Sequence, residues 1–413
     1  MKLGTLSLVL IGVAAVSGSA DDAPDAAARA LHARALVVDT HADTAQRMVF
    51  QGFDMAARDA RGHVDIPRMR EGGLDAVFFS IWVPSRVTGP EAVKRALRQI
   101  DAVREQVRRH PADLLLATTT SQVREAASRG RIAALMGMEG GHMIDDDLGL
   151  LRLYAALGVR YLTLTHFLNN NWADSSTDKP AHDGLTGFGK DVVRELNRLG
   201  VLVDISHVAD KTFYDALATT RAPVIASHSS CRALCDHPRN MSDEMLRALG
   251  RNGGVVQINY EITFLSQEAR SAKQARGKSV ELDDAELQRT CGDDEACQIL
   301  EGERRDREAM VTGTLPRVGW ETIVEHIDHA AKVAGVDHVG LGSDFDGASM
   351  PFGMEDCSLL PRLTAALLKR GFTERDVEKI LGRNLLRVLE QAERVSRQLQ
   401  SEAAAPSRTK GGA

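Results

Sequence analysis

Short apolar runs alternate with longer amphipathic stretches along most of this 413-residue chain. Eight of the apolar runs have the length of buried β-strands. Between most of them, apolar and polar residues alternate with helical periodicity, and clear examples are Glu91 to Arg109, Lys190 to Leu199 and Thr322 to Val333. The predicted strands are Ala35 to Asp39, Leu74 to Ile81, Ile132 to Met138, Val159 to Thr165, Val201 to Ile205, Pro223 to Ala226, Gly254 to Ile258 and Val336 to Leu341.

Eight strands that alternate with helices predict an α/β protein of the (β/α)8 TIM barrel type, and a doubly wound open sheet is the alternative. Leu114 to Thr118 is a candidate for an extra strand. The densely charged segment from Glu268 to Glu308 predicts a helical insertion before the last strand, which either is solvated or lies over the active site. Leu359 to Leu368 and Arg375 to Leu399 predict C-terminal helices that close the fold.

The two ends of the chain have their own patterns. Lys2, an apolar run from Leu6 to Val16 and the small residues up to Ala20 are typical of a secretory signal peptide. The alternative is a short membrane anchor, but the run is short for a membrane span. We therefore expect a signal peptide at 1–20, the (β/α)8 barrel domain at 21–400, a disordered tail at 401–413, and export to the periplasm or the medium without stable membrane insertion.

Composition narrows the choice of partners. The apolar fraction of 43% and the charged fraction of 26% are ordinary for a globular protein, and the net charge of −6 argues against nucleic acid as a partner. Five cysteines are few for an exported protein of this size. Cys291 and Cys297 are spaced to close a small disulfide loop, although the sequence leaves the pairing open. The cysteine spacings do not favour a structural zinc site.

Polar side chains with metal-binding chemistry follow six of the predicted strands. The carboxyl ends of barrel strands meet at one mouth, so these residues are expected to converge. They are His41 and Asp43 after the first strand, Glu139 after the third, His166 after the fourth, His207 after the fifth, His228 after the sixth and Asp344 after the eighth. Seven other histidines lie in predicted helices or loops and are not expected to bind metal, namely His32, His63, His110, His182, His237, His326 and His329.

Five of these groups, His41, Asp43, Glu139, His207 and His228, are expected to be metal ligands. Imidazole and carboxylate without thiolate suit zinc, and five groups exceed the need of one tetrahedral ion. Two zinc ions bridged by Glu139 fit this set better. Such a pair would generate a bridging hydroxide near neutral pH and polarise a carbonyl, which is hydrolytic chemistry.

The remaining polar groups are expected to act on the substrate. His166 is suited to hydrogen-bond the oxyanion of a tetrahedral intermediate. Asp344 is suited to move a proton from water to the leaving amine or to hold a substrate ammonium. Arg239 is a candidate ligand for a substrate carboxylate, although a surface salt bridge explains it equally well from sequence. Asp39 is expected to support the site structurally.

At these residues the chain resembles the membrane (renal) dipeptidase family of metallodipeptidases. The matching motifs, in family order, are Val37-Val38-Asp39-Thr40-His41-Ala42-Asp43, Met138-Glu139-Gly140-Gly141-His142, Arg160-Tyr161-Leu162-Thr163-Leu164-Thr165-His166, Trp172-Ala173-Asp174-Ser175, Asp204-Ile205-Ser206-His207, Ser227-His228-Ser229-Ser230, Gly342-Ser343-Asp344-Phe345-Asp346-Gly347 and Gly382-Arg383-Asn384-Leu385-Leu386-Arg387-Val388. The resemblance covers nearly the whole chain after the predicted signal peptide.

The resemblance implies a (β/α)8 barrel, a homodimer and two zinc ions that share Glu139. It implies that His41 and Asp43 complete one zinc site and that His207 and His228 complete the other. His166 and Arg239 would contact the substrate, and Asp344 would be the catalytic proton carrier or bind the substrate amino group. Animal members have a C-terminal lipid-anchor signal, whereas no apolar tail is present here, so a lipid anchor is not expected. The charged insertion is a second departure, and it prevents the transfer of a substrate preference.

The sequence therefore predicts an exported zinc-dependent dipeptidase that hydrolyses the peptide bond of dipeptides. Two alternatives remain. A related metal-dependent amidohydrolase that acts on lactones or cyclic amides would use the same ligands. A non-catalytic binding protein on the same barrel would be expected to lack one or more of the ligands, and none is missing from the sequence.

Overall fold

The predicted strands form a closed ring in the computed structural model, which describes residues 24–275 and 285–404. Eight parallel strands follow one another in the order β2-β1-β9-β8-β7-β6-β5-β4, and β4 pairs back with β2. The predicted (β/α)8 barrel is confirmed, and the open doubly wound sheet is wrong because the ring closes. The strands are β1 (Val38–Ala42), β2 (Ala76–Trp82), β3 (Leu114–Leu116), β4 (Ile132–Glu139), β5 (Val159–Thr163), β6 (Leu202–Asp204), β7 (Ile225–Ser229), β8 (Val255–Ile258) and β9 (Val339–Leu341).

The ring is closed by an unbroken register between β2 and β4, which runs from Ala76 opposite Ala133 to Trp82 opposite Glu139. β3 is the extra strand expected from the sequence, and it lies outside the ring. It pairs with the first three residues of β4, and β5 pairs with β4 only from Met136 onward. β3 therefore occupies a stretch of the β4 edge that β5 does not reach.

Helices connect the strands and cover the outside of the barrel. Residues of β2 and β4 are buried throughout, as expected for parallel strands covered on both faces. The helices are α1 (Ala26–Arg34), α2 (Thr44–Phe50), α3 (Ile66–Glu71), α4 (Gly89–Arg109), α5 (Thr120–Ser128), α6 (Leu148–Leu157), α7 (Gly187–Leu199), α8 (Asp210–Thr219), α9 (Asp243–Asn252), α10 (Ile262–Leu265), α11 (Gln267–Ala275), α12 (Ala285–Cys291), α13 (Glu295–Val311), α14 (Glu321–Ala334), α15 (Pro361–Lys369), α16 (Glu374–Glu378) and α17 (Asn384–Ala404).

Alternate strand residues contribute to two apolar clusters. Val77 and Phe79 of β2 pack in the larger cluster with the surrounding helices. Phe78 belongs to the other cluster together with Tyr161 of β5 and residues of α17, and the two rings stack with centroids 5.4 Å apart. A side chain on Gly137 of β4 would overlap the Tyr161 ring, because a Cβ there would lie 1.8 Å from it. The glycine therefore makes room for a tyrosine directly beside the site described below.

Several element boundaries differ from those predicted. The single helix expected from Arg375 to Leu399 is two helices, α16 and α17, separated by a π-turn at Lys379–Arg383. The break occurs where the backbone of Gly382 packs so closely on Leu36 that a Cβ would lie 2.3 Å from its carbonyl oxygen. Helix α17 also continues to Ala404, beyond Ser401, where the disordered tail is predicted to begin.

The charged segment before the last strand is helical, as predicted. Helices α11, α12 and α13 form this insertion, and the segment 276–284 between α11 and α12 lies outside the described residues. Cys291 and Cys297 form a disulfide that joins α12 to α13, and Cys231, Cys235 and Cys357 are free and buried. An ion pair of 2.7 Å between Arg95 Nη1 and Glu295 Oε1 joins α13 to α4.

The predicted signal peptide at 1–20 and the part of the predicted tail after Ala404 lie outside the described residues. Within residues 24–275 and 285–404, every helix is too short or too polar to cross a membrane.

Candidate active site

All seven polar side chains predicted at the strand ends meet at the carboxyl mouth of the barrel. His41 lies within β1, His228 lies within β7, and Glu139 is the last residue of β4. Asp43 is the residue that precedes α2. His166, His207 and Asp344 lie in the loops after β5, β6 and β9. The residues come from six strands or the loops after them, and the barrel closure is what brings them together.

Glu139 is the centre of the cluster, and its two oxygens face different neighbours. Oε1 lies 2.9 Å from His207 Nε2 and 3.1 Å from His228 Nε2. Oε2 lies 3.3 Å from His41 Nε2 and accepts a hydrogen bond of 3.1 Å from Ser80 Oγ. The carboxylate thus has one oxygen toward each half of the predicted ligand set, which is the arrangement a bridging ligand needs.

The ligand atoms also group in ways that cross this division. Three sets have all their ligand atoms within 4.8 Å of one another. Their members are His41, Glu139 and His228 in the first set, Glu139, His166 and His207 in the second, and His41, Asp43 and Asp344 in the third. His228 is close to both halves, because its ring centroid lies 3.8 Å from that of His41. The assignment of each histidine to one ion therefore stays a prediction.

The hydrogen bonds of His228 fix the nitrogen that faces the cluster. Ser227 Oγ donates to Asp204 Oδ2 over 2.6 Å, so its lone pairs are left for His228 Nδ1, 2.8 Å away, which must donate. Nε2 of His228 is then an unprotonated acceptor. Burial lowers the pKa of both His207 and His228 well below the ordinary value, which keeps them neutral as metal ligands must be.

His41 and Asp43 have buried polar atoms that no protein group satisfies. Among the described residues, His41 Nε2 and Asp43 Oδ1 have no hydrogen-bond partner and lie 3.4 Å apart. His41 Nδ1 is hydrogen-bonded to Tyr161 Oη over 2.8 Å, so Nε2 is the nitrogen that points into the cluster. Unsatisfied buried polar atoms are costly, and a divalent cation between these groups would satisfy them. The residues present therefore fit a metal centre.

Burial also acts on the carboxylates around His41. It raises the pKa of Asp43, and it raises the pKa of Asp344 to about 7, where the nearby Asp43 and Glu139 carboxylates add to the effect. Several acidic groups therefore share a buried site, and although burial lowers the pKa of His41, the neighbouring Tyr161 and Glu139 raise it to well above its ordinary value. A bound divalent cation would compensate the carboxylates in place of the proton on His41.

Arg239 lies in the same cavity and is nearly inaccessible, with 3% of its surface exposed. Its Nη2 donates to the carbonyl oxygen of His228 over 3.1 Å, whereas Nε and Nη1 have no partner among the described residues. Burial lowers the pKa of Arg239 to about 10. The surface salt bridge considered from sequence is therefore wrong, and a buried guanidinium with spare donors is suited to bind a carboxylate.

His166 and Asp344 lie at the border of the cluster, His166 next to Glu139 and Asp344 next to His41. His166 Nε2 lies 3.8 Å from Glu139 Oε1, and its ring meets Trp82 edge to face. Asp344 Oδ1 lies 3.8 Å from His41 Nε2, and Asp344 Oδ2 accepts a hydrogen bond of 2.9 Å from Asn259 Nδ2. Asp39 lies behind the cluster, where its Oδ1 accepts from the backbone amides of His41 and Ser343.

These groups open into one cavity of about 300 Å³, which the insertion helps to enclose. The insertion lines it with Lys273, Leu287, Gln298, Ile299, Gly302, Glu303, Arg305 and Asp306. The sequence left open whether the insertion is solvated or lies over the active site. In the structure it lies over the site. Trp82, Phe167 and Phe264 supply aromatic walls near the cluster.

Several contributors to the site were missed from sequence. Tyr161 and Ser227 hydrogen-bond the candidate ligands His41 and His228. Asp204 accepts from Ser227, and Asn259 donates to Asp344. Tyr161, Asp204 and Ser227 occur inside the quoted motifs, so their position next to candidate ligands was a usable signal. For Asn259 and for the insertion residues the sequence offers none.

A family model supplies independent evidence on identity. The model for membrane dipeptidase, peptidase family M19, matches residues 25–403. The chain belongs to this family. The family resemblance stated from the motifs is therefore confirmed.

Solved structures agree with this membership. The probable dipeptidase PvdM from Pseudomonas aeruginosa is 29% identical with a TM-score of 0.75, over 89% of this chain and 98% of the other. Dipeptidase AC, described as a metallopeptidase of family M19, is 28% identical with a TM-score of 0.67, over 87% and 98%. A metallopeptidase from Rhodobacter sphaeroides, liganded with a phosphinate mimic of the dipeptide L-Ala-D-Ala, is 27% identical with a TM-score of 0.70, over 87% and 99%. The chain is thus a hydrolase of the metallodipeptidase type, as predicted.

Proposed function

We propose that the protein is a zinc-dependent dipeptidase whose active site holds two ions bridged by Glu139. The observation that best supports this proposal is the arrangement of Glu139, with one oxygen near His207 and His228 and the other near His41. A ligand set of imidazoles and carboxylates without thiolate is typical of zinc or a similar divalent ion. His41 and Asp43 would hold one ion, and His207 and His228 would hold the other.

Two bound zinc ions would lower the pKa of the attacking water to near neutrality and polarise the carbonyl of the peptide bond. The protein groups supply the remaining functions. His166 donates a hydrogen bond to the oxyanion that forms at the attacked carbonyl. Asp344 takes the proton from the attacking water and delivers it to the nitrogen of the leaving amine.

Arg239 would select the substrate by its free carboxylate. Its donors Nε and Nη1, which have no partner among the described residues, lie in a buried part of the cavity. A substrate carboxylate there would accept hydrogen bonds from both and neutralise the charge of the guanidinium. A carboxylate bound at a fixed distance from the catalytic centre favours short substrates of defined length. The Rhodobacter sphaeroides neighbour, which holds a mimic of L-Ala-D-Ala, supports a dipeptide as the substrate class.

A panel of dipeptides, assayed with and without a chelator, tests the proposal. We expect hydrolysis of several dipeptides, loss of activity with the chelator, recovery on addition of Zn²⁺, and about two zinc ions per chain by elemental analysis. Turnover of lactones or cyclic amides with inert dipeptides would instead favour the related amidohydrolase. Absence of turnover for all substrates in a metal-replete sample would favour a binding protein.

Export, cleavage after Ala20 and the homodimer stay predictions. The residues that form the predicted signal peptide lie outside the described ranges. Mass spectrometry of the mature N-terminus would test the cleavage, and light scattering of the purified protein would test the homodimer.

A further inference from the structure

His63 is a buried histidine that lies outside the cluster of candidate metal ligands, and it links the insertion to the loop containing Asp344. Its backbone amide donates to Asp346 Oδ1 over 2.7 Å, and the backbone amide of Asp346 donates to His63 Nδ1 over 2.9 Å. On the other side of the ring, Nε2 lies 2.8 Å from Glu303 Oε2 of α13. The ring also meets Phe345 edge to face at 5.7 Å.

The loop that His63 contacts has an unfavourable backbone conformation. Asp344 and Asp346 have φ values of 67° and 62°, in the left-handed region that residues other than glycine seldom adopt. Such a conformation persists only where surrounding bonds hold it. The bonds to His63, together with a hydrogen bond of 2.6 Å from Thr44 Oγ to Asp346 Oδ2, supply that restraint two residues after Asp344.

The hydrogen bonds also define the tautomer of His63. The backbone amide of Asp346 donates to Nδ1, so Nδ1 is a hydrogen-bond acceptor and is not protonated. The ring proton therefore lies on Nε2, which donates a hydrogen bond to the Glu303 carboxylate. Burial lowers and the Glu303 carboxylate raises the pKa of His63, with a net increase. A proton on Nδ1 would face the amide proton of Asp346, so the neutral Nε2–H form is the one compatible with the observed contacts.

We propose that His63 and Glu303 are positioning residues for Asp344, so that the insertion acts on catalysis through the His63 ring. Glu303 fixes the tautomer of His63, the ring holds the loop, and the loop sets the position of the Asp344 carboxylate. The part that concerns turnover rests on the proposed dipeptidase function. The insertion is then a fixed component of the active site, in addition to a wall of the cavity.

Four variants test this order of action. Glu303→Ala removes the acceptor for Nε2, and Glu303→Gln keeps an acceptor oxygen. His63→Asn places an amide oxygen near the position of Nδ1. This oxygen is always an acceptor, so the hydrogen bond to the Asp346 amide should no longer depend on Glu303. The fourth variant combines His63→Asn with Glu303→Ala. Glu308→Ala is the matched control, because Glu308 lies on the same helix with 66% of its side chain exposed.

We expect Glu303→Ala to lower kcat roughly tenfold with KM within about twofold and with the metal content unchanged. Glu303→Gln should recover most of the kcat, and the control should match the parent protein. In the His63→Asn background, Glu303→Ala should have no further effect. A kcat at the parent level in Glu303→Ala, a change confined to KM or to metal content, or a full additional tenfold loss in the double variant would overturn the proposal.

Hydrogen exchange separates this proposal from the proposed function. Backbone amides of Asp344–Gly347, followed by mass spectrometry, should exchange roughly tenfold faster in Glu303→Ala and at the parent rate in Glu308→Ala. If the parent protein hydrolyses no dipeptide but exchange responds in this way, the proposed function fails and the positioning role stands. If dipeptides are hydrolysed but exchange in Glu303→Ala equals that of the parent, the positioning role is refuted.

Discussion

Replacing Arg239 with methionine should stabilise the fold while it impairs dipeptide hydrolysis. The guanidinium is buried, two of its nitrogens have no partner among the described residues, and burial lowers its pKa to about 10. A depression of this size corresponds to an upper limit of roughly 3 kcal/mol of unfavourable charge burial. Methionine fills a similar volume without charge, so we expect a gain of about 1–3 kcal/mol and a rise of roughly 2–5 °C in Tm.

The catalytic loss follows from the same unpaired donors. If Nε and Nη1 bind the substrate carboxylate, Arg239→Met leaves that carboxylate buried without a partner, at a cost of about 2–5 kcal/mol in transition-state binding. Since about 1.4 kcal/mol corresponds to a factor of ten, kcat/KM for a dipeptide should fall roughly 30- to 4,000-fold. Arg239→Lys retains the positive charge but lacks the planar guanidinium, so its kcat/KM should lie between that of the parent enzyme and that of Arg239→Met.

The assay compares a dipeptide with the same dipeptide amidated at its C-terminus. The parent enzyme should prefer the free acid. Arg239→Met should lose that preference, because the substitution removes only the interaction with the C-terminal carboxylate of the substrate. Equal losses on both substrates would refute the reasoning, since they would mean that Arg239 acts on the cluster through the carbonyl of His228. A lower Tm in Arg239→Met would refute the stability argument. Metal content measured on each sample controls for indirect damage.

Three further predictions concern the cluster and the barrel. Glu139→Gln should abolish turnover and lower the zinc content by at least one ion per chain in elemental analysis, because it replaces the bridging carboxylate. Asp344→Asn should lower turnover by at least about a hundredfold with the metals retained, and full activity in a metal-replete sample would contradict the proton-transfer role. Burial raises the pKa of Asp75 to about 6, so the folded state holds this proton more tightly than the unfolded state and loses stability as pH rises from about 4 to 6. Asp75→Asn should therefore be about 1–2 kcal/mol more stable than the parent at pH 8 and nearly equal to it at pH 4 in urea unfolding; a gain that is the same at both values would contradict this.

The barrel was predictable because buried parallel strands appear in the sequence as continuous apolar runs. The same rule explains why the predicted ends of some strands were wrong. β1 runs to Ala42 and β7 to Ser229, beyond the ends predicted at Asp39 and Ala226. The last residues of these strands include the polar side chains His41 and His228, which face the mouth. An apolar pattern therefore ends before the strand does wherever the strand itself supplies a ligand.

The candidate ligands were predictable for a related reason, because histidines and carboxylates at matched strand ends must meet when a barrel closes. Their supporting contacts were not. The bond between His41 and Tyr161 joins residues 120 positions apart, and the bond between His63 and Glu303 spans 240 positions. The densely charged sequence of the insertion does not indicate which of its side chains pack against the barrel. The location of the insertion therefore required the structure.

The local sequence of the loop after β9 follows from its close approach to the carboxylates of the candidate site, rather than from the stability of the barrel. A Cβ on Gly347 would lie 1.8 Å from Asp43 Oδ2 and 2.9 Å from Asp344 Oδ1, so only glycine permits the loop to approach both carboxylates. The backbone amide of Asp43 in turn donates to the carbonyl of Phe345 over 2.8 Å. Neither the left-handed residues nor the crowded carboxylates favour folding by themselves. They are tolerated together because the same loop accepts the hydrogen bond of the Asp43 backbone amide, contains Asp344, and is hydrogen-bonded to His63.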